Sequence, residues 1–186
     1  MLGWVILGLV VLVILVLVGW IISVYNRLVS LNNAIENTFH QIQVAMKKRL
    51  DMIGQLVDTT KSYLKYEKSV FTDVTKLRQA PLATPEDIKK ANDMATAFLG
   101  RIFAVMENYP KVQGIETVKE LQDSIKNVEA EIARQRYLYN DQVQSFNMMC
   151  ERFPSNIVAL LFGFRKKEYL KFGEEVEKRP ETKVYQ

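Results

Sequence analysis

Trp4-Val-Ile-Leu-Gly-Leu-Val-Val-Leu-Val-Ile-Leu-Val-Leu-Val-Gly-Trp20-Ile-Ile-Ser-Val24 contains no charged side chain and a single hydroxyl. A helix from Trp4 to Tyr25 rises about 31 Å, the thickness of a bilayer's hydrocarbon core. Trp4 at one end, and Trp20 with Tyr25 at the other, carry the amphipathic rings that settle at headgroup level. A cleaved signal peptide would want basic residues ahead of the apolar run and small residues at its end. Met1-Leu2-Gly3 has no basic side chain, and Ser23-Val24-Tyr25 is not a cleavage pattern. The expectation is an uncleaved membrane anchor over residues 1–24.

Every charge in the chain lies beyond this run: 25 Lys and Arg against 21 Asp and Glu, a net charge of +4. The two signs are interleaved, and no basic block exceeds three residues, as in Arg165-Lys166-Lys167. Nucleic-acid binders gather basic charge on one face; here the pattern predicts a solvated helical surface and no nucleic-acid partner. Cys150, the single cysteine, has no internal partner for a disulfide and reads as a packed thiol.

From Val24 to Pro81 the only glycine is Gly54, and apolar residues recur at helical spacing. Leu31, Ile42, Ile53 and Leu64 repeat every 11 residues, as do Ile35, Met46 and Val57. Eleven residues in three turns keep a stripe on one face of a nearly straight helix. The expected first helix therefore runs from the anchor to about Gln79, weakened by ~1 kcal/mol at Gly54. Thr84-Pro85-Glu86-Asp87 then reads as a helix start, with a cap, a first-turn proline and two acids at the positive end of the dipole. Ile88, Ala91, Ala95, Phe98, Ile102, Val105 and Tyr109 supply its buried stripe up to Tyr109-Pro110.

A third helix begins near Ile115, with Val118, Ile125, Ile132, Tyr139 and Phe146 every seven residues, joined by Leu121, Val128 and Val143. That rhythm belongs to bundles and coiled coils. Phe153-Pro154 breaks it, and a short apolar segment ends at Gly163, a suitable C-terminal cap. No stretch reads as a strand. The fold class is all-α: a single transmembrane helix continuing into an antiparallel up-and-down bundle over residues 25–172, followed by a polar tail over residues 173–186.

Two segments share a pattern. Tyr25, Asn26, Val29 and Asn32 or Asn33 in the first helix are echoed by Tyr139, Asn140, Val143 and Asn147 in the third. A Tyr-Asn pair combines an aromatic body with hydrogen-bonding groups, which makes Asn26, Tyr139, Asn140 and Asn147 candidates for polar contacts between helices.

With these residues in view, the chain resembles the LemA family of membrane-anchored helical proteins. The matching pieces are Tyr25-Asn26-Arg-Leu-Val29, Lys47-Lys48-Arg49-Leu50-Asp51, Leu56-Val57-Asp58-Thr59, Asn108-Tyr109-Pro110, and Glu129 with Ile132, Ala133 and Arg136. Most specific is the ending Phe153-Pro154, Asn156, Ala159 and Phe162-Gly163-Phe164. The chain departs from the family pattern at Gly54, where proline is usual, at Phe39 (Trp) and at Tyr66 (His). The resemblance implies a single-pass protein with a four-helix bundle of bromodomain-like type. It brings no settled activity, only general links to the cell envelope, to membrane proteases and, in one branch, to organelle membrane assembly.

Catalysis needs converging nucleophiles, bases or ligands. His40 is the sole histidine, and neither a phosphate loop nor a nucleophile elbow occurs. Asp51 and Asp58 share a helix face, but beside Lys47, Lys48 and Arg49 they read as surface ion pairs. No catalytic residue, cofactor or metal is expected, and the protein reads as a scaffold or adaptor with a protein partner or self-association. The remaining candidate element is Ile157, Leu160, Leu161 and Phe164 followed by Arg165, Lys166 and Lys167. It either caps the bundle as a fourth helix or lies on an anionic lipid surface, which would make the protein a self-assembling membrane organiser. Arg27 and the basic residues after the span lean the bundle towards the cytoplasm.

Overall fold

The computed structural model describes residues 1–64 and 68–172. Tyr66, Glu67 and the tail 173–186 lie outside the described residues. The elements are α1 (Leu2–Thr60), α2 (Lys68–Arg78), α3 (Pro85–Glu107), α4 (Pro110–Gln113), α5 (Glu116–Glu151) and α6 (Ser155–Leu161), with no strand among the described residues.

The first helix stops earlier than its apolar repeat. It ends at Thr60 instead of continuing to Gln79. Thr60 donates its hydroxyl to the Leu56 carbonyl at 2.7 Å, and its own carbonyl accepts from the amides of Tyr63 and Leu64. Backbone-seeking, β-branched Thr59-Thr60 closes the helix in a turn where neither glycine nor proline marks one. The repeat itself survives: Leu31, Ile42, Ile53 and Leu64, and Ile35, Met46 and Val57, are all buried. Leu64 reaches the core from the turn.

The chain divides into two compact units, Met1–Phe39 with Tyr137–Tyr169, and His40–Arg136 with the chain from Leu170. In the second unit, α1 and α3 run one way and α2 and α5 the other. Asp51 meets Arg78, Arg101 meets Asp73, and Arg49 meets both Asn92 and Glu129. This is the expected up-and-down order. Its core joins Leu50, Ile53, Leu56 and Val57 of α1 to Leu77 of α2, Phe98 and Ile102 of α3, and Val118 and Ile125 of α5. The start of α3 carries a full capping box: Thr84 Oγ1 accepts from the Asp87 amide, and the Asp87 carboxylate accepts from the Thr84 amide. Its far end differs from the periodic reading. Met106 takes the last inward position, the helix closes at Glu107, and Tyr109 is exposed ahead of α4.

In the first unit, the membrane-proximal part of α1 packs antiparallel on the C-terminal half of α5. Phe39 stacks on Tyr139 with centroids 5.8 Å apart, and Thr38 donates to Gln142 at 3.0 Å. Tyr139, Val143 and Phe146 all face inward, as the seven-residue rhythm requires. Burial on α1 begins with half-covered Ile21 and Val24 and is complete at Leu28. No residue of the apolar window before them is buried by the protein.

Candidate functional site

The membrane-proximal end of the first unit is built where α5 turns into α6. The chain breaks at Phe153-Pro154, and α6 follows for seven residues. It closes as a Schellman motif: the Phe164 amide donates to the Ala159 carbonyl at 2.9 Å and the Gly163 amide to the Leu160 carbonyl at 3.2 Å. Gly163 sits at φ 74°, where a Cβ would strain the backbone. The turn sends Phe162 onto Tyr25, with centroids 4.6 Å apart, and Phe164 edge-on to Phe146 at 6.0 Å. Tyr25, read from sequence as an interface residue, is thus both the end of the apolar run and the docking point of α6.

The sequence candidates in 157–167 divide by face. Val158, Ala159 and half-buried Phe164 pack inward, while Ile157, Leu160 and Leu161 point out. Leu160 is 82% exposed and Leu161 71%. Among the basic residues, Lys166 pairs with Glu151, which holds its ammonium pKa above the usual lysine value. Lys167 lies 3.6 Å from Glu36 with its ammonium over the Phe146 ring, and Arg165 is exposed.

Of the polar candidates, Asn147 and Tyr139 direct these hydrogen bonds to the returning chain. Asn147 Nδ2 donates to the Lys167 carbonyl and Oδ1 accepts from the Lys167 amide, both at 2.9 Å. Tyr139 donates its hydroxyl to the Glu168 carbonyl at 3.0 Å. Burial, with Glu168 nearby, raises the Tyr139 pKa above its ordinary value. Asn26 is exposed, with its carbonyl accepting from Ser30, and Asn140 is half-buried on α5. Trp4 is exposed and Trp20 lies near the end of the window. Asn147→Asp keeps the acceptor but loses the donor to the Lys167 carbonyl. We expect it to lower stability by about 1–2 kcal/mol, read as a thermal melt of the full chain. An unchanged melt would show that the strap contributes nothing.

The second unit holds a polar cluster that the sequence did not reveal. Arg49, 2% exposed, reaches between α3 and α5. It donates to Asn92 at 2.8 Å and to Thr96 at 3.1 Å, and pairs with Glu129. A groove of about 200 Å³ beside it is lined by Thr96, Ile132, Arg136 and Phe172, with the Arg136 guanidinium 4.8 Å over the Phe172 ring. Read with Lys47 and Lys48 as a surface basic triplet, Arg49 gave one signal of its own. Thr38, Arg49 and Thr60 are spaced by 11, the period of the apolar stripe, and all three are buried. Asp51 and Asp58 form ion pairs, with Arg78 at 3.5 Å and Lys61 at 3.4 Å. His40 is exposed and shares a hydrogen bond with Gln43. Among the described residues, no His, Cys, Asp and Glu gather as a metal would need.

An apolar window at the head of a packed helical bundle defines a membrane-associated helical protein. The LemA family model matches residues 38–184, and the chain belongs to the LemA family. It is 24% identical to magnetosome protein MamQ 1 and to MamQ 2 of Paramagnetospirillum magneticum, over 78% of this chain and 64% of theirs. It is 23% identical to magnetosome protein MamQ of Magnetospirillum gryphiswaldense, with the same coverage. The chain thus spans 64% of the length of the curated relatives it matches.

Proposed function

We propose that this LemA-family chain is a non-catalytic scaffold or adaptor that presents a helical bundle for protein contacts at a membrane surface. The observation that carries this reading is that the apolar window and the helices packed just beyond it form one compact unit. A partner gripping that unit's outer face is held at a fixed height above the bilayer. The face offers Tyr137, 74% exposed on α5, with Leu138 exposed beside it. Tyrosine is among the residues enriched at the energetic centres of protein contacts. Arg27, the first charge after the window, favours a cytoplasmic bundle.

The test is a photo-crosslinking residue at Tyr137 in the full chain in its own membranes, with Asn37 of α1 as the comparison position. A discrete adduct at Tyr137 and none at Asn37 is expected. Multiples of the chain's own mass would mean self-assembly, and one heterologous membrane protein would mean an adaptor. Equal, diffuse labelling at both positions, or none at either, would overturn the scaffold reading.

Exposed Ile157, Leu160 and Leu161 favour a second property of the same protein, in which α6 rests in the bilayer surface. The contact of Phe162 with Tyr25 supports it, because it puts α6 level with the last turn of the apolar window. The likeness to magnetosome proteins is compatible with a membrane-organising role of this kind.

A further inference from the structure

Two arginines in the first unit form no ion pair among the described residues and share one groove. Arg27 and Leu31 of α1 face Ser145 and Met148 of α5, and Arg152 and Ser155 close the end beside α6. The groove has a volume of about 180 Å³ and no carboxylate among its lining residues. Ser155 is held by its own hydroxyl, which donates to the carbonyls of Met149 at 2.8 Å and Arg152 at 2.9 Å. The Ser145 hydroxyl makes no hydrogen bond to a described residue and remains available as a donor.

The position of the groove identifies the anion. Arg27 lies three residues and Leu31 seven residues beyond Val24, so they rise roughly 4.5 and 10 Å above the end of the apolar window. The headgroup layer outside the hydrocarbon occupies about 5–7 Å on each side. Arg27 therefore sits within the headgroup layer, Arg152 lines the same groove, and the Leu31 and Met148 side chains offer an apolar wall beside them. A guanidinium matches a phosphate in shape as well as charge, through two parallel N–H donors.

We propose that this groove binds the phosphodiester of an anionic phospholipid, held by Arg27, Arg152 and Ser145. The proposal rests on the bilayer-surface reading of this end of the unit. It goes beyond the general attraction of Arg165 and Lys166 for anionic lipid, because neither of those residues lines the groove.

The test uses the full chain, purified in neutral detergent, stripped of lipid and offered phosphatidylglycerol or phosphatidylcholine, with retained lipid counted by native mass spectrometry. One phosphatidylglycerol per chain and no phosphatidylcholine is expected. R27Q/R152Q lowers retention by roughly tenfold or more, since two charge-assisted contacts are lost. R165Q/K166Q leaves it unchanged. Both arginines are exposed, so helicity by circular dichroism stays that of the parent. Retention unaltered in R27Q/R152Q, or lost equally in R165Q/K166Q, overturns the site. Displacement by equimolar inorganic phosphate also overturns it, as a free-anion pocket. Bilayer protection of Leu160 is measured separately, so a failed groove and a failed α6 contact give different results.

Discussion

Arg49→Ala is expected to destabilise the bundle by about 3 kcal/mol, the low end of the range for breaking a buried pair by removing one partner. The guanidinium is enclosed and serves three elements at once: its own α1, Asn92 and Thr96 on α3, and Glu129 on α5. Removing it takes a charged donor from Asn92, Thr96 and Glu129 and opens a space where a long, buried side chain lay. The figure is held down because Glu129 is 41% exposed on its side chain and turns towards water when released. For a chain of this length, each kcal/mol moves the midpoint by about 2–4 °C, which gives a fall of roughly 6–12 °C. The measurement is a thermal melt of the full chain in detergent, followed by circular dichroism. Arg49→Lys keeps the charge but loses the planar fork and should recover only part of the loss. R49M/E129Q removes both charges and keeps the volume, so it should melt closer to wild type than R49M alone. A melt of Arg49→Ala within a degree of wild type would remove the cluster from any account of stability.

Periodicity makes most of this fold legible in the sequence. The eleven-residue stripe of α1 and the seven-residue stripe of α5 are the faces that pack, because one helical face is buried over a long run. The Thr84 box and Gly163 mark element ends by local chemistry that tertiary packing does not override. The end of α1 was hidden for a physical reason. Leu64 keeps the repeat's burial from a turn, so the apolar pattern runs on after the hydrogen-bonded helix has stopped. Arg49 was hidden by its neighbours, since Lys47 and Lys48 are exposed and a basic triplet reads as surface. Its register with Thr38 and Thr60 places it on the packed face, and only the packing shows Asn92, Thr96 and Glu129 converging there. The outward turn of Leu160 and Leu161 was not legible either. Phe162 and Phe164 fill the end of the first unit against Tyr25 and Phe146, and a list of apolar residues does not say which of them arrive first.

A cysteine at Leu160 is expected to be shielded from a membrane-impermeant maleimide once the full chain is in phospholipid vesicles. In the protein alone, Leu160 and Leu161 are the most exposed apolar residues of α6, and Ile157 stands on the same outer side. Moving three such side chains from water into hydrocarbon gains on the order of 4–5 kcal/mol in total. No ordering cost offsets it, because α6 is already folded and held by Gly163 and the Phe162–Tyr25 contact. That free energy leaves about one molecule in a thousand with α6 in water, so labelling should slow by two orders of magnitude or more. The native thiol interferes little. Burial and then Glu151 raise the Cys150 pKa, with Lys166 opposing, and thiolate is the reactive form. Cys150→Ser removes the remainder. Asn37→Cys, 13 residues past Val24 on an exposed face, normalises for chains inserted in the opposite orientation. Leu160→Asp/Leu161→Asp should then release a cysteine at Ile157 to rapid labelling while helicity is retained. Equal labelling at Leu160→Cys and Asn37→Cys would mean that α6 stands clear of the bilayer and that its apolar face waits for protein.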